Sequence, residues 1–122
     1  MSFTSFPLHA ELLRAVDALG FTVPTPIQKD AIPPACEGRD VLACAMTGSG
    51  KTAAFLLPIL KHVLDHPRGG TRALVLAPTR ELAVQIDEHR RDLARFTKIG
   101  GGAVFGGMAM GPQEAAFRRG AD

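Results

Sequence analysis

The sequence predicts an α/β fold in which a parallel sheet carries helices on both faces. Two short apolar segments, residues 41–45 and 73–77, have the composition of strands that are buried on both sides, and residues 103–105 are predicted to form a weaker third strand. Each segment is followed by a stretch with the apolar spacing of a helix. Strands that alternate with helices are typical of parallel sheets, because right-handed crossovers place the helices on both faces.

Two helices are predicted before the first strand. Apolar spacing indicates a helix over residues 8–19, which Gly20 ends. The Thr-Pro pair at 25–26 has the pattern of an N-cap followed by proline at the first helical position. This second helix is expected to end near Ile32, because prolines at 33 and 34 disfavour its continuation.

Glycines and prolines separate the remaining elements. A glycine-rich turn follows the first strand and leads into a helix over residues 50–66, and residues 67–70 mark a loop. Thr79 is a candidate N-cap for the next helix, which the glycines at 100–102 terminate. A last helix is expected near 112–119. Three strands are few for such a sheet and no final strand is evident, so the domain is expected to be incomplete.

Composition and charge exclude several classes of protein. With 46% hydrophobic and 21% charged residues, the chain is globular rather than disordered, collagenous or a coiled coil. A net charge of +2 is too small to indicate nucleic-acid binding by itself. No apolar run approaches the roughly 18 residues of a membrane span, and the N-terminus lacks a secretory signal. Cys36 and Cys44 are too few for a disulfide scaffold or a zinc site, so we expect reduced, partly buried thiols and a cytoplasmic location.

The strongest chemical signal is a phosphate-binding loop between the first strand and its helix. Its residues are Ala45, Met46, Thr47, Gly48, Ser49, Gly50, Lys51 and Thr52, with Ala45 in place of the usual first glycine. The two glycines allow backbone N–H groups to surround phosphate oxygens, next to a helix N-terminus. Lys51 is placed to reach the β- and γ-phosphates, and the Thr52 hydroxyl to ligate Mg²⁺. The competing interpretation is a glycine-rich turn with an accidental Lys-Thr pair.

A proline-rich segment at 20–28 is a candidate for recognising the base of a nucleotide. The terminal amide of Gln28 carries an N–H donor and an oxygen acceptor. They match the N7 acceptor and the N6 donor at one edge of adenine. Either Phe3 or Phe6 is a candidate ring to stack on the base. Taken alone, however, the segment fits better with a proline-rich turn that carries a solvated Gln28.

Taken together and in order, Phe3 and the segments 20–28, 45–52 and 78–83 resemble a known family. They are similar to the start of DEAD-box RNA helicases, in particular to their N-terminal RecA-like domain. The segment 105–107, Phe-Gly-Gly, is similar to a later glycine pair of that family. The resemblance covers residues 3–122 and implies an incomplete P-loop NTPase (RecA-like) domain, a three-layer α/β structure. Within it, residues 1–29 would form the adenine-recognition region, the Q motif, and residues 40–122 the P-loop core.

The resemblance also implies roles for individual residues. It assigns ATP binding to Phe3, Thr25, Gln28 and the eight loop residues, among which Lys51 and Thr52 would take part in catalysis and Thr52 would hold Mg²⁺ through the nucleotide. It assigns contacts with the RNA backbone to Pro78, Thr79, Arg80, Glu81, Gly106 and Gly107. From its position alone, at the carboxyl edge of the predicted sheet, Arg80 suits a phosphate. A solvated Arg80, or one paired with Glu81, fits that position equally well.

Parts of the family's machinery do not occur in this sequence. It contains no Asp-Glu-Ala-Asp and no second RecA-like domain, so we expect a truncated piece of an ATP-dependent RNA helicase that is inactive alone. The alternative is a stand-alone, non-catalytic module that binds nucleotide or RNA; a small P-loop kinase is a third class. Unpaired strand edges and apolar helix faces are also expected to favour self-association.

Overall fold

The computed structural model describes residues 1–66, 70–107 and 109–122. Residues 67–69 of the predicted loop lie outside this part of the chain. A short 3₁₀ turn, Phe3–Ser5, precedes the helices. The α-helices are α1 (Ala10–Ala18), α2 (Pro26–Cys36), α3 (Lys51–Asp65), α4 (Arg80–Leu93) and α5 (Met110–Arg118). All five predicted helices are therefore confirmed, with shifted ends.

The second helix continues past the point at which it was predicted to stop. It runs through Pro33 and Pro34 to Cys36, so the predicted end near Ile32 is wrong. Each proline lacks the N–H that would bond to the carbonyl four residues earlier. Those carbonyls belong to residues 29 and 30, which are exposed, so water can replace the lost bonds.

None of the three predicted strands is formed in the part of the chain that the structure describes. Residues 41–45, 73–77 and 103–105 run without a turn or bend, but they are not paired as strands. Leu42, Leu74 and Leu76 are 96%, 78% and 85% exposed, which is the opposite of burial on both faces. Apolar composition indicates a local preference for extended backbone, but a strand also needs a hydrogen-bonded neighbour.

The hydrophobic core is built around α3, which packs against α1, α2 and α4. Apolar side chains on several faces of α3 allow this central position. The largest fully buried side chains are Leu12, Val16, Ile32, Leu57, Leu60 and Leu93. Because α3 begins at the phosphate loop, this packing anchors the loop to the best-packed part of the chain. No helix among the described residues is long and apolar enough to cross a membrane; the cytoplasmic location stays a prediction.

A buried ion pair connects the far end of α3 to the last residue. Arg72 donates to the carbonyl oxygens of Val63 (3.1 Å) and His66 (2.6 Å), and it also pairs with the carboxylate of Asp122. That carboxylate accepts a second hydrogen bond from the Gly100 N–H at 2.9 Å. The side chains of Arg72 and Asp122 are only 15% and 3% exposed. The pair therefore joins the end of α3, the segment at residue 72 and the segment at residue 100.

We expect Asp122→Ala to lower the free energy of unfolding by about 3 kcal/mol, because it leaves the Arg72 guanidinium buried without its carboxylate. Glu114→Ala is the matched control: its 3.7 Å pair with Arg118 is exposed, and such pairs contribute little. Urea unfolding followed by circular dichroism measures both. Equal losses in the two variants would contradict a structural role for the buried pair.

Candidate nucleotide site

The predicted phosphate-binding loop forms a tight turn directly before α3. Gly48 and Gly50 have φ angles of +80° and +84°, in the left-handed region that glycine adopts without strain. Gly50 is the N-cap of α3, so the first N–H groups of that helix have no partner within the helix. The turn and the helix N-terminus together form the concave donor surface that anions favour.

Lys51 lies across the start of this loop. Its ammonium donates a hydrogen bond to the carbonyl oxygen of Ala45 at 2.5 Å. Thr52 follows in the first turn of α3 and is half-buried. The predicted cation and hydroxyl thus lie at the same end of one helix.

Gln28 is buried, with 4% of its surface exposed, so the interpretation as a solvated turn residue is wrong. Its Oε1 accepts a hydrogen bond from the Thr25 N–H at 2.9 Å, and its Nε2 donates to the carbonyl of Gly50 at 3.1 Å. The same Gly50 carbonyl accepts the first backbone bond of α3, from Ala54 at 3.2 Å. One side chain therefore joins the start of α2 to the start of α3. The Thr25-x-x-Gln28 spacing of a capping box was the sequence signal for half of this arrangement.

The junction around Gly50 is tightly packed. A Cβ atom on Gly50 would overlap Gln28 Nε2 and lie 3.2 Å from Thr25 Oγ1. The Thr25 hydroxyl faces the Gln28 N–H as one half of a capping box. The hydroxyl oxygen of Ser49 is buried and has no hydrogen-bond partner in the described part of the chain. Because buried polar atoms normally find a partner, this hydroxyl fits a loop that binds a polar group.

The aromatic residues are arranged differently from the sequence prediction. Phe3 and Phe6 are each 4% exposed. Phe3 lies under the ring of Phe21, with ring centroids 6.4 Å apart and planes at 28°. Phe21 is 42% exposed. It is the ring that sequence reasoning missed, although its place beside Gly20 at the start of the proline-rich segment was a signal.

A single cavity of about 1210 Å³ brings these groups together. Its lining includes Phe3, Phe21, Thr25, Gln28 and, from the loop and α3, Thr47, Gly48, Gly50, Lys51 and Thr52. Phe6 does not line it, so of the two predicted rings only Phe3 belongs to this site. Ala45, Met46 and Ser49 lie in the same loop but outside the lining.

The residues predicted to contact RNA form a second cluster at the start of α4. Thr79 is the N-cap, and its hydroxyl accepts a hydrogen bond from the Leu82 N–H at 3.1 Å, as predicted. The guanidinium of exposed Arg80 lies against Gly107, where a Cβ atom would be 2.8 Å from Nη1. Gly107 has a φ of +83°. Two segments 27 residues apart therefore meet, while Arg80 forms no ion pair with Glu81 among the described residues.

No group of three or more His, Cys, Asp or Glu residues that could hold a metal ion occurs in the described ranges.

Comparison with known proteins identifies strong similarity. Residues 25–122 match the family model described as DEAD/DEAH box helicase. The chain is 52% identical over 111 residues to the ATP-dependent RNA helicase SrmB of Escherichia coli (strain K12), covering 88% of this chain and 25% of that protein. It is 48% identical over 124 residues to the probable ATP-dependent RNA helicase DDX27 of Homo sapiens, covering 100% of this chain and 16% of that one. The chain thus spans a quarter or less of the length of these relatives.

Solved structures share the fold. The RNA-helicase Prp28 from Chaetomium thermophilum, crystallised bound to ADP, matches with a TM-score of 0.89 and 42% identity over 98% of this chain and 30% of that chain. A DEAD box protein from the hyperthermophile Methanococcus jannaschii matches with a TM-score of 0.92 and 35% identity over 100% of this chain and 33% of that chain. The chain therefore matches about a third of each of these helicase chains, whereas the predicted sheet is not formed in its described residues.

Gly50→Ala is expected to destabilise the chain more than Gly48→Ala, by about 1 kcal/mol. Both substitutions place a side chain at a positive φ, which costs about 1–2 kcal/mol in either case. Only at Gly50 does the new Cβ displace the Gln28 amide and break its hydrogen bond; around Gly48 nothing lies within 4 Å.

Urea unfolding of the two variants gives the difference directly. Adding Gln28→Ala to Gly50→Ala should then cost less than Gln28→Ala costs in the unmodified chain, because the hydrogen bond is already lost. Identical losses for the two glycine variants would show that the contact between Gln28 and Gly50 contributes nothing.

Proposed function

The chain belongs to the DEAD/DEAH box helicase family, and from this premise we propose that it carries the ATP-binding part of an ATP-dependent RNA helicase together with part of its RNA surface. The observation that supports this most directly is the junction at Gly50, where the adenine-recognition segment and the phosphate loop share one hydrogen-bonded carbonyl. In this proposal residues 1–29 recognise adenine and residues 40–122 form the P-loop core.

The base is read by Gln28 and Phe21, with Phe3 supporting the ring of Phe21. A glutamine amide has two N–H donors and two oxygen lone pairs. The bonds to Gly50 and Thr25 use one of each, so one donor and one acceptor remain for the N7 and N6 positions of adenine. Guanine carries an acceptor and lacks the donor at the corresponding ring edge. The fixed amide therefore favours ATP over GTP.

The triphosphate is held by the loop, by Lys51 and by the N-terminus of α3. Lys51 would exchange the Ala45 carbonyl for phosphate oxygens, whose negative charge adds Coulomb attraction to the hydrogen bond of the ammonium. The unpartnered hydroxyl group of Ser49 supplies a further donor in the loop. Thr52 would hold Mg²⁺, which when bound neutralises charge on the phosphates.

RNA is contacted by the cluster at the start of α4. Arg80 supplies the charge for a backbone phosphate, and Pro78, Thr79 and Glu81 surround it at the exposed helix N-terminus. Gly106 and Gly107 allow close approach of a second backbone, since Gly107 already accommodates the Arg80 guanidinium. ATP-driven duplex separation is the proposed activity of a protein that carries this part together with the hydrolytic motif.

We infer that the 122 residues alone do not hydrolyse ATP, since the sequence lacks Asp-Glu-Ala-Asp and phosphoryl transfer depends on precise charge neutralisation. The alternative, a module that binds nucleotide or RNA without any catalytic role, shares the same binding site. Hydrolysis by a version of the chain that includes the hydrolytic motif distinguishes the two.

Binding measured by calorimetry tests the ATP site. We expect the unmodified chain to bind ATP more tightly than GTP, and Gln28→Ala to remove a preference of about 1–3 kcal/mol. Lys51→Ala is the matched control, because it should weaken ATP and inorganic tripolyphosphate alike while the preference for ATP over GTP remains. Phosphate release should stay at background in all samples.

Two outcomes would contradict this assignment. Equal affinity of the unmodified chain for ATP and GTP would remove the role of Gln28 in base recognition. An equal loss of ATP and tripolyphosphate binding in Gln28→Ala would show that Gln28 acts only by holding the loop. RNA-stimulated phosphate release that disappears in Lys51→Ala would contradict the inferred inactivity.

Binding of single-stranded RNA tests the second cluster. Arg80→Ala should weaken binding several-fold and reduce the slope of log affinity against log salt concentration by about one, the contribution of one phosphate contact. Arg39→Ala removes the same charge from an exposed position outside the cluster and should change neither quantity. Fluorescence anisotropy at several salt concentrations gives both values; equal effects of the two variants would exclude a specific contact at Arg80.

A further inference from the structure

The side chain of Gln113 on α5 bridges the backbone on either side of the glycine pair at 106 and 107. Its Oε1 accepts a hydrogen bond from the N–H of Phe105 at 2.8 Å, and its Nε2 donates to the carbonyl oxygen of Ala109 at 3.1 Å. Phe105 precedes the glycine pair and Ala109 follows it, so one amide group holds both flanks. The two bonds use the two different ends of the amide, and together they fix its rotation.

The glycine pair contacts the guanidinium of Arg80. Gly106 and Gly107 form a turn, and Gly107 has a φ of +83°. A Cβ atom on Gly107 would lie 2.8 Å from Nη1 of Arg80 and 3.2 Å from both Cζ and Nη2, so the guanidinium lies directly against bare backbone. Arg80 is otherwise exposed. The position of the turn therefore affects where the positive charge of Arg80 is presented.

The bonds of Gln113 lie outside the hydrophobic core. No residue of α5 is buried or belongs to the core, and α5 packs against no other helix among the described elements. Gln113 itself is half-buried. Loss of its two hydrogen bonds should therefore change the local geometry of the turn and leave the packing of α2 against α3 unchanged.

We propose that Gln113 is a positioning residue for RNA binding, which fixes the turn at Gly106 and Gly107 and thereby orients Arg80 toward an RNA phosphate. The inference rests on the proposed RNA contact of Arg80. Gln113 acts through the turn and not on the RNA itself. Hydrogen bonds from a guanidinium to phosphate oxygens depend on direction, and a side chain that is held in place before binding loses less conformational entropy when RNA binds.

Gln113→Met tests this role, because methionine is uncharged and similar in length but lacks the amide group. Affinity for single-stranded RNA, measured by fluorescence anisotropy, should fall about fivefold, the contribution of one typical hydrogen bond. Affinity for ATP, measured by calorimetry, should not change. Met110→Ala is the control on the same helix: Met110 is uncharged and 68% exposed, and its substitution should change RNA affinity by less than about twofold.

A double-mutant cycle with Arg80→Ala distinguishes positioning from a general effect on α5. If Gln113 acts through Arg80, Gln113→Met should weaken RNA binding by less than about twofold once Arg80→Ala is present. An equal loss in the two backgrounds would overturn the proposal, because the two side chains would then act independently.

Amide hydrogen exchange measured by NMR tests the geometry without RNA. The N–H of Phe105 should exchange faster in Gln113→Met, because its acceptor is gone, and the Nε–H signal of Arg80 should shift. The N–H of Leu57, a fully buried core residue of α3, should keep its exchange rate and so report an intact fold. Unchanged exchange at Phe105 would overturn the proposal.

The RNA measurements also separate this inference from the proposed function. If Arg80→Ala leaves RNA affinity unchanged, the proposed RNA contact is wrong and the role of Gln113 is overturned with it. If Arg80→Ala weakens binding while Gln113→Met has no more effect than Met110→Ala, only the positioning role is overturned and the RNA contact of Arg80 stands.

Discussion

The carbonyl group of Gly50 is the point on which the geometry of the proposed nucleotide site depends. It accepts the first backbone bond of α3 and the side-chain bond of Gln28, so it joins two helices that begin far apart in sequence. Only glycine combines the positive φ of this position with room for the buried amide. The helix that starts here is also the centre of the hydrophobic core, and the loop is therefore held by the most stable packing in the chain.

Local signals in the sequence predicted most of the helical structure and the loop. Gly20 ends the first helix, and Thr79 caps α4 through its own hydroxyl, because these devices act within one helical turn. The glycines of the phosphate loop adopt the predicted turn for the same reason. The resemblance to DEAD-box helicases carried the family assignment, which no local signal could have supplied.

Features that depend on distant neighbours were predicted less well. The three apolar segments have strand composition, but pairing requires a partner strand, and within the described residues no backbone hydrogen bond joins 73–77 to 103–105. The burial of Gln28 follows from contact with a loop 22 residues away, so its capping-box spacing revealed only the nearer half of its role. Phe3 is buried and the neighbouring Phe21 ring is exposed. Which of the two rings faces solvent is set by tertiary packing, which local sequence does not encode.

The two proposed sites lie in parts of the chain that are packed differently. Adenine and phosphate groups would meet residues at the ends of α2 and α3, which the core fixes before any ligand arrives, so this binding pays little for ordering. Arg80 and Gly107 instead meet across the segments that lack strand partners. Their contact depends on how residues 73–77 and 101–105 are held, and the Arg72–Asp122 pair is the nearest buried link between these segments.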